Sequence, residues 1–341
     1  MQDVSLQAQY IIITSNGTLQ IGTEAAPFMH KAVITMYGSL RSIELPIYGS
    51  KVIALRNGTI DMHGKPVGVT WTYLAESAYE QSTSITLNDD VSNWGVGSQI
   101  IIATTGDYLS QGESEVRTIT SINGKTVTFD EPLAYPHLYE VRTVGDGVDV
   151  TVKAEVGLLT RNILFQGSTD SSWDSLYTAP ACPAGFDPGE FAVQTCFLGR
   201  YGAETGTDQF GAHIMISAGV TNVKNSVRKE TVIARFSNVE LFHVGQAFRL
   251  GRYPIHFHMN GDSPSSYVKE CAIHESFNRA TNIHASNYLT IESNVIYNIM
   301  GGAYFLEDGI EIGNLFKNNL AVFVRTSTSL LNEDTTPGTF N

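Results

Sequence analysis

No stretch of this sequence approaches the roughly 18 to 20 consecutive apolar residues that a bilayer-spanning helix requires, so no membrane insertion is expected within it. The first ten residues, MQDVSLQAQY, lack a basic start ahead of an apolar core and do not read as a signal peptide. No amphipathic helical run of ten or more residues is present, which removes alternating βαβ units. There is no G-x-S-x-G elbow and no phosphate-binding glycine loop. Charge is scarce, at 16% of residues, and leans acidic: 21 Lys and Arg against 34 Asp and Glu leave a net charge of −13. An acidic surface repels phosphate backbones, which excludes nucleic acid as a partner. It also counts against a polyanionic glycan unless a local basic groove exists.

What is present is enough apolar material for a large core, 42% of 341 residues, arranged in short β-rich runs. Residues 10–14, 19–21, 32–37, 51–55 and 59–62 are each bounded by Gly, Asn or Pro. Short strands with tight turns predict an all-β solenoid of parallel strands, elongated enough to escape the usual size limit of one domain. Asn16-Gly17-Thr18 and Asn57-Gly58-Thr59 recur after hydrophobic strands. Each is both a turn signal and an N-glycosylation sequon.

Residues 84–128 break the pattern. SITLNDD, QIIIATT, EVRTIT and KTVTFD alternate, and Asn123-Gly124 marks a hairpin turn. A small antiparallel β subdomain is expected over 84–151, with the solenoid resuming at 152 and running to 341. Residues 168–209 are polar and rich in Gly and Pro, as in a long loop insertion. Cys182 and Cys196 lie in that segment. A disulfide between them would stabilise by about 3 kcal/mol in the chain-entropy model. Cys271 sits in an apolar repeat and reads as a buried free thiol.

Repeats become visible later in the chain. Cys271-Ala272-Ile273-His274-Glu275, Asn294-Val295-Ile296-Tyr297-Asn298 and Asn314-Leu315-Phe316-Lys317-Asn318 are offset by 23 and then 20 residues (294 − 271 and 314 − 294). Coils of that length fit a β-helix rung, with equivalent residues stacked about 4.8 Å apart. Asn294, Asn298, Asn314 and Asn318 are then expected to form structural ladders. His243, His274 and Tyr297 are expected on one packed column.

Several longer motifs carry a resemblance. Gly22-Thr23-Glu24 with Pro27-Phe28, Tyr48-Gly49-Ser50-Lys51, and His63-Gly64-Lys65-Pro66 with Thr70-Trp71-Thr72 look like the later half of a G-eight domain, here residues 1–83. Glu155 to Asn162, GRYPIHFH and Glu307-Asp308-Gly309 resemble the β-helix region found with that domain. Together they resemble the fibrocystin-L-like family and are similar to the cell-migration-inducing and transmembrane hyaluronidases. The resemblance implies a right-handed parallel β-helix on an extracellular or cell-surface protein, and a fragment of a longer chain. Family members include coat proteins without established activity and enzymes linked to glycan depolymerisation.

Chemistry concentrates between Gly251 and Asp308. His256 and His258 are two apart on a strand and project to one side, while Ile255 and Phe257 fill the interior. An offset of 23 (307 − 284) sets His284 opposite Glu307, Asn282 opposite Phe305 and Ala285 opposite Asp308. The expected cluster is His256, His258, His284, Glu307 and Asp308, flanked by Arg252, Asp262 and Arg279. Three readings stand. His256, His258 and His284 suit a divalent metal ion such as zinc. Glu307 or Asp308 as acid or nucleophile, with a histidine as proton shuttle, suits glycan cleavage on a substrate gripped by Arg252, Asp262 and Arg279. Histidine–carboxylate hydrogen bonds that pin coils need no ligand at all.

The main expectation is a structural or adhesion protein of a coat or fibre, with extracellular glycans or other copies of itself as partners and lateral or filament assembly. The alternatives are a hyaluronidase-type enzyme and a carbohydrate-binding module without turnover. Arg252 and Arg279 discriminate: catalysis on an acidic glycan needs them facing an open groove.

Overall fold

The computed structural model describes residues 2–39, 42–168, 196–197, 204–205, 210–223, 226–247 and 249–325. They form a parallel β-helix with three sheets, one per face of each coil. The first two coils run Val4–Ala8, Tyr10–Ile13, Gly17–Ile21 and then Ala32–Met36, Val52–Leu55, Gly58–His63. The third is Ile163–Gly167, His213–Ile216, Val232–Ser237. Three further coils start at Val239–Val244, Ala272–Ser276 and Val295–Met300, and Leu320–Arg325 begins the next.

Period-two alternation explains the interior. On the second face Leu55, Ile216, Phe257 and Ile283 stack in register, each at most 1% exposed. On the first face Ile34, Phe165, Leu241, Ile273 and Ile296 do the same. Burying each such side chain is worth about 1.5–3 kcal/mol. Residues between them, His256 and His258 included, must face outward.

The corners are held by asparagine. Asn294 Oδ1 accepts the Cys271 amide at 2.9 Å, and Asn319 Oδ1 accepts the Asn294 amide at 3.0 Å. The 20-residue offset expected after Asn294 is therefore corrected. Val295 pairs with Leu320, an offset of 25 (320 − 295), so Asn319 continues the ladder. Asn314 caps a different corner, accepting the Leu289 amide at 2.8 Å. The column expected at His243 also shifts by one: Phe242 pairs with His274, and His274 with Tyr297. His243 sits at a left-handed kink, φ 49°, which turns it out of register.

Between the second and third coils lies a six-stranded antiparallel sheet. Its strand order is Trp71–Tyr73, Glu155–Leu158, Gln99–Ile102, Glu115–Asn123, Thr126–Phe129, Ser84–Thr86. This unit is broader than residues 84–151. Glu155–Leu158 pairs on both edges within it, and the solenoid resumes only at Ile163. Leu74, Leu87, Ile100, Val127 and Val156 form its own core. It docks on the first face through Ile101, Leu159, Val295 and Leu320. Gly157 permits this approach, since a Cβ there would lie 2.7 Å from Val295 Cγ1. The disulfide expected between Cys182 and Cys196 falls outside the described residues; only the backbone of Cys196–Phe197, paired with Glu204–Thr205, is described there. Cys271 is a buried free thiol, and burial pushes it up to about 12.

Candidate functional site

The strands Ile255–Asp262 and Thr281–Asn287 lie side by side on the second face, with Tyr304–Leu306 next. Three successive coils thus supply His256, His284 and Glu307. His258 pairs directly with His284. The rings of His256 and His284 stack 6.3 Å apart at 11°, and the His258 ring stands edge-on to both at 5.0 Å.

His256 is 1% exposed. Its Nδ1 donates to the Gly251 carbonyl at 3.0 Å, which leaves Nε2 with a lone pair in the neutral ring. Nε2 lies 3.6 Å from Glu307 Oε2, too far for a hydrogen bond, and has no hydrogen-bond partner. His284 Nε2 lies 3.2 Å from Asp308 Oδ2 at the solvent edge, and its Nδ1 faces Glu307 Oε2 at 3.7 Å. One ligating atom from each of His256, His284 and Glu307 lies within 4.8 Å of the others. His258 directs Nδ1 to Ser217 Oγ at 3.3 Å, so the cluster converges on Glu307 rather than on three histidines.

The electrostatics follow from burial and neighbours. Burial lowers His256 against the pull of Glu307. Burial first, then the neighbouring His256 and His284, push His258 down to about 4. Burial opposes the charge on Glu307, yet the contacts with His256 and Asn282 outweigh it and hold the carboxyl at about 2.

The flanking residues are elsewhere engaged. Arg252 packs on Gly49, donates to the Ile47 carbonyl at 3.0 Å and lies 3.6 Å from Glu44. Arg279 is 2% exposed, its guanidinium 3.8 Å from the Phe305 ring centre and 5.0 Å from that of Tyr253. It donates to Tyr253 Oη at 3.0 Å and to Asn282 Oδ1 at 3.3 Å. Asp262 lies past an irregularity in the strand and accepts from Asn287 at 3.0 Å, outside the cluster. At the sequons, Gly17 pairs with Gly58, so the two Asn-Gly turns stack on consecutive coils. Asn16 is exposed, whereas Asn57 is half-buried.

Sequence reasoning missed Asn282 and Gly251. Asn282 Nδ2 donates to Glu307 Oε2 at 2.5 Å, and Arg279 fixes its other end. The signal was available: Asn282 is two residues before His284 and must share its face. The Gly251 carbonyl reaches His256 through a loop, and no spacing rule predicts that.

The geometry agrees with the comparisons. The G8 domain family matches residues 1–75 and the CEMIP beta-helix family matches residues 209–339. Human Fibrocystin-L is 52% identical over 341 residues, covering 99% of this chain, and mouse Fibrocystin-L is 51% identical over the same span. Dog Fibrocystin is 28% identical over 346 residues, or 96% of this chain. The chain spans about 8% of the length of each of these relatives. Among solved structures, the tailspike protein gp49 from Pseudomonas phage LKA1 aligns over 91% of this chain and 42% of that one, at 11% identity and a TM-score of 0.24. With 52% identity across nearly its whole length and both domain families in place, the chain is fibrocystin-L-like, a G8 domain and a CEMIP-type β-helix in one solenoid.

Proposed function

We propose that this chain is a non-catalytic segment of an extracellular or cell-surface protein, serving in a coat, fibre or adhesive layer. One observation carries the proposal: neither arginine expected to grip an acidic glycan faces an open groove. Arg252 is tied to Glu44 and Arg279 lies under Phe305 and Tyr253. Extracellular glycans and further copies of the chain are the partners proposed, with lateral packing along the faces. The exposed sequon at Asn16 fits a glycosylated surface.

The test is incubation of the purified chain with hyaluronan, read by size-exclusion chromatography. The expected result is an unchanged chain-length distribution. Progressive shortening that disappears in Glu307→Gln would overturn the proposal in favour of the hyaluronidase reading.

A further inference from the structure

The cluster on the second face has an imbalance that hydrogen bonds within the protein leave in place. His256 spends its ring proton on the Gly251 carbonyl. Asp308 stands beside His284 Nε2 and draws that ring's proton there. Each histidine is then left with a lone pair, and both lone pairs face Oε2 of Glu307. Three electron-rich atoms converge, with His256 Nε2 buried and unpartnered. Asn282 already donates to Glu307 Oε2, so the two imidazole nitrogens are the atoms left without a partner inside the protein.

We infer that His256 Nε2, His284 Nδ1 and Glu307 Oε2 bind one divalent transition-metal ion of the zinc class, which clasps three successive coils. Two imidazoles and one carboxylate suit zinc, whereas calcium and magnesium take all-oxygen sets. Tetrahedral bonds of about 2.0–2.1 Å hold neighbouring ligand atoms roughly 3.3–3.4 Å apart. The contacts at 3.6 and 3.7 Å lie close to that, and the two histidine nitrogens, within 4.8 Å of each other, would close up by a turn of the rings. The supporting shell is also of the kind metal-binding histidines use: a carbonyl behind His256, a carboxylate behind His284, and Asn282 on Glu307. These three residues leave the fourth position of a tetrahedral ion to water. The inference stands apart from the non-catalytic reading, because metal binding and hyaluronan cleavage are measured separately.

The test uses tag-free chain, stripped with chelator and titrated with Zn²⁺ alone in a calorimeter, with Ca²⁺ as a control. One equivalent of Zn²⁺ should bind and Ca²⁺ should not compete. Co²⁺ in its place should give the visible bands of a four-coordinate N/O site. Glu307→Gln should weaken Zn²⁺ binding by about 100-fold or more. Asp308→Asn, at the solvent edge where the fold tolerates change, should weaken it by about 10-fold to 100-fold. If Glu307→Gln fails to fold, Asp308→Asn decides alone. No stoichiometric Zn²⁺ binding, or binding equally tight in every folded variant, would overturn the inference.

Discussion

Two buried histidine–glutamate pairs in this molecule use the same residue types to opposite effect. In the antiparallel unit, His137 Nδ1 donates to the Ala103 carbonyl at 2.7 Å and Nε2 contacts Glu115 Oε1 at 3.0 Å. Glu115 also accepts the amides of Ala134 and Tyr135 and pairs with Arg117. That network is closed: both oxygens of Glu115 have hydrogen-bonding partners. In the β-helix, His256 and Glu307 stand 3.6 Å apart with His256 Nε2 unpartnered. The difference lies in what surrounds the carboxylate. Glu115 is embraced by a loop and an arginine from its own strand, whereas Glu307 faces two imidazoles and one amide. A closed network has its buried polar groups satisfied; an open one leaves a buried acceptor available to a ligand.

Breaking the closed network should have the largest effect. Glu115→Gln is expected to cost about 3–5 kcal/mol in denaturant unfolding, with no recovery on adding Zn²⁺. Glu307→Gln in zinc-free protein should cost less, about 1–2 kcal/mol, since the glutamine keeps an oxygen for Asn282. Equal costs in zinc-free buffer would erase the contrast.

Zinc supplies the next largest effect. At a free concentration of about 100 times Kd it should stabilise the parent by about 2.7 kcal/mol, seen as a rise in Tm, and leave Glu307→Gln unmoved.

Lys51 sharpens the comparison from the other side, as a buried charge with no carboxylate at all. Its Nζ donates to the carbonyls of Ser168 and Phe210 at 2.8 and 2.6 Å, and burial lowers it to about 7. From about pH 7 to about 10.5 the unfolded chain therefore binds the extra proton, so stability rises with pH. Between pH 7 and 9 the gain should be roughly 2–3 kcal/mol relative to Lys51→Met, which lacks this dependence. Parallel pH profiles of the two proteins would remove Lys51 from the account.

The smallest effect belongs to the corner ladder. Asn319→Ala strips an acceptor from the Asn294 amide and side chain and should cost about 1–2 kcal/mol by thermal unfolding. An unchanged Tm would mean that solvent replaces the ladder.

Much of this was legible in the sequence, because it depends on local periods. Alternation of two placed His256 and His258 outside and Phe257 inside, and the Asn-Gly pairs marked turns that stack. The 23-residue offset brought His284 to Glu307, since a coil of fixed length fixes which residues are neighbours. The same logic failed one coil later: turns between strands vary in length without disturbing the sheets, so Asn319 rather than Asn314 follows Asn294. It failed again at 155–158, where a short apolar strand fits either a solenoid or an antiparallel sheet and only available edges choose. Tertiary structure alone decided which way the charged groups turn. Arg252 went to Glu44, Arg279 under two aromatic rings, and His256 to a loop carbonyl. Those outcomes depend on loops far away along the chain, which no local period encodes.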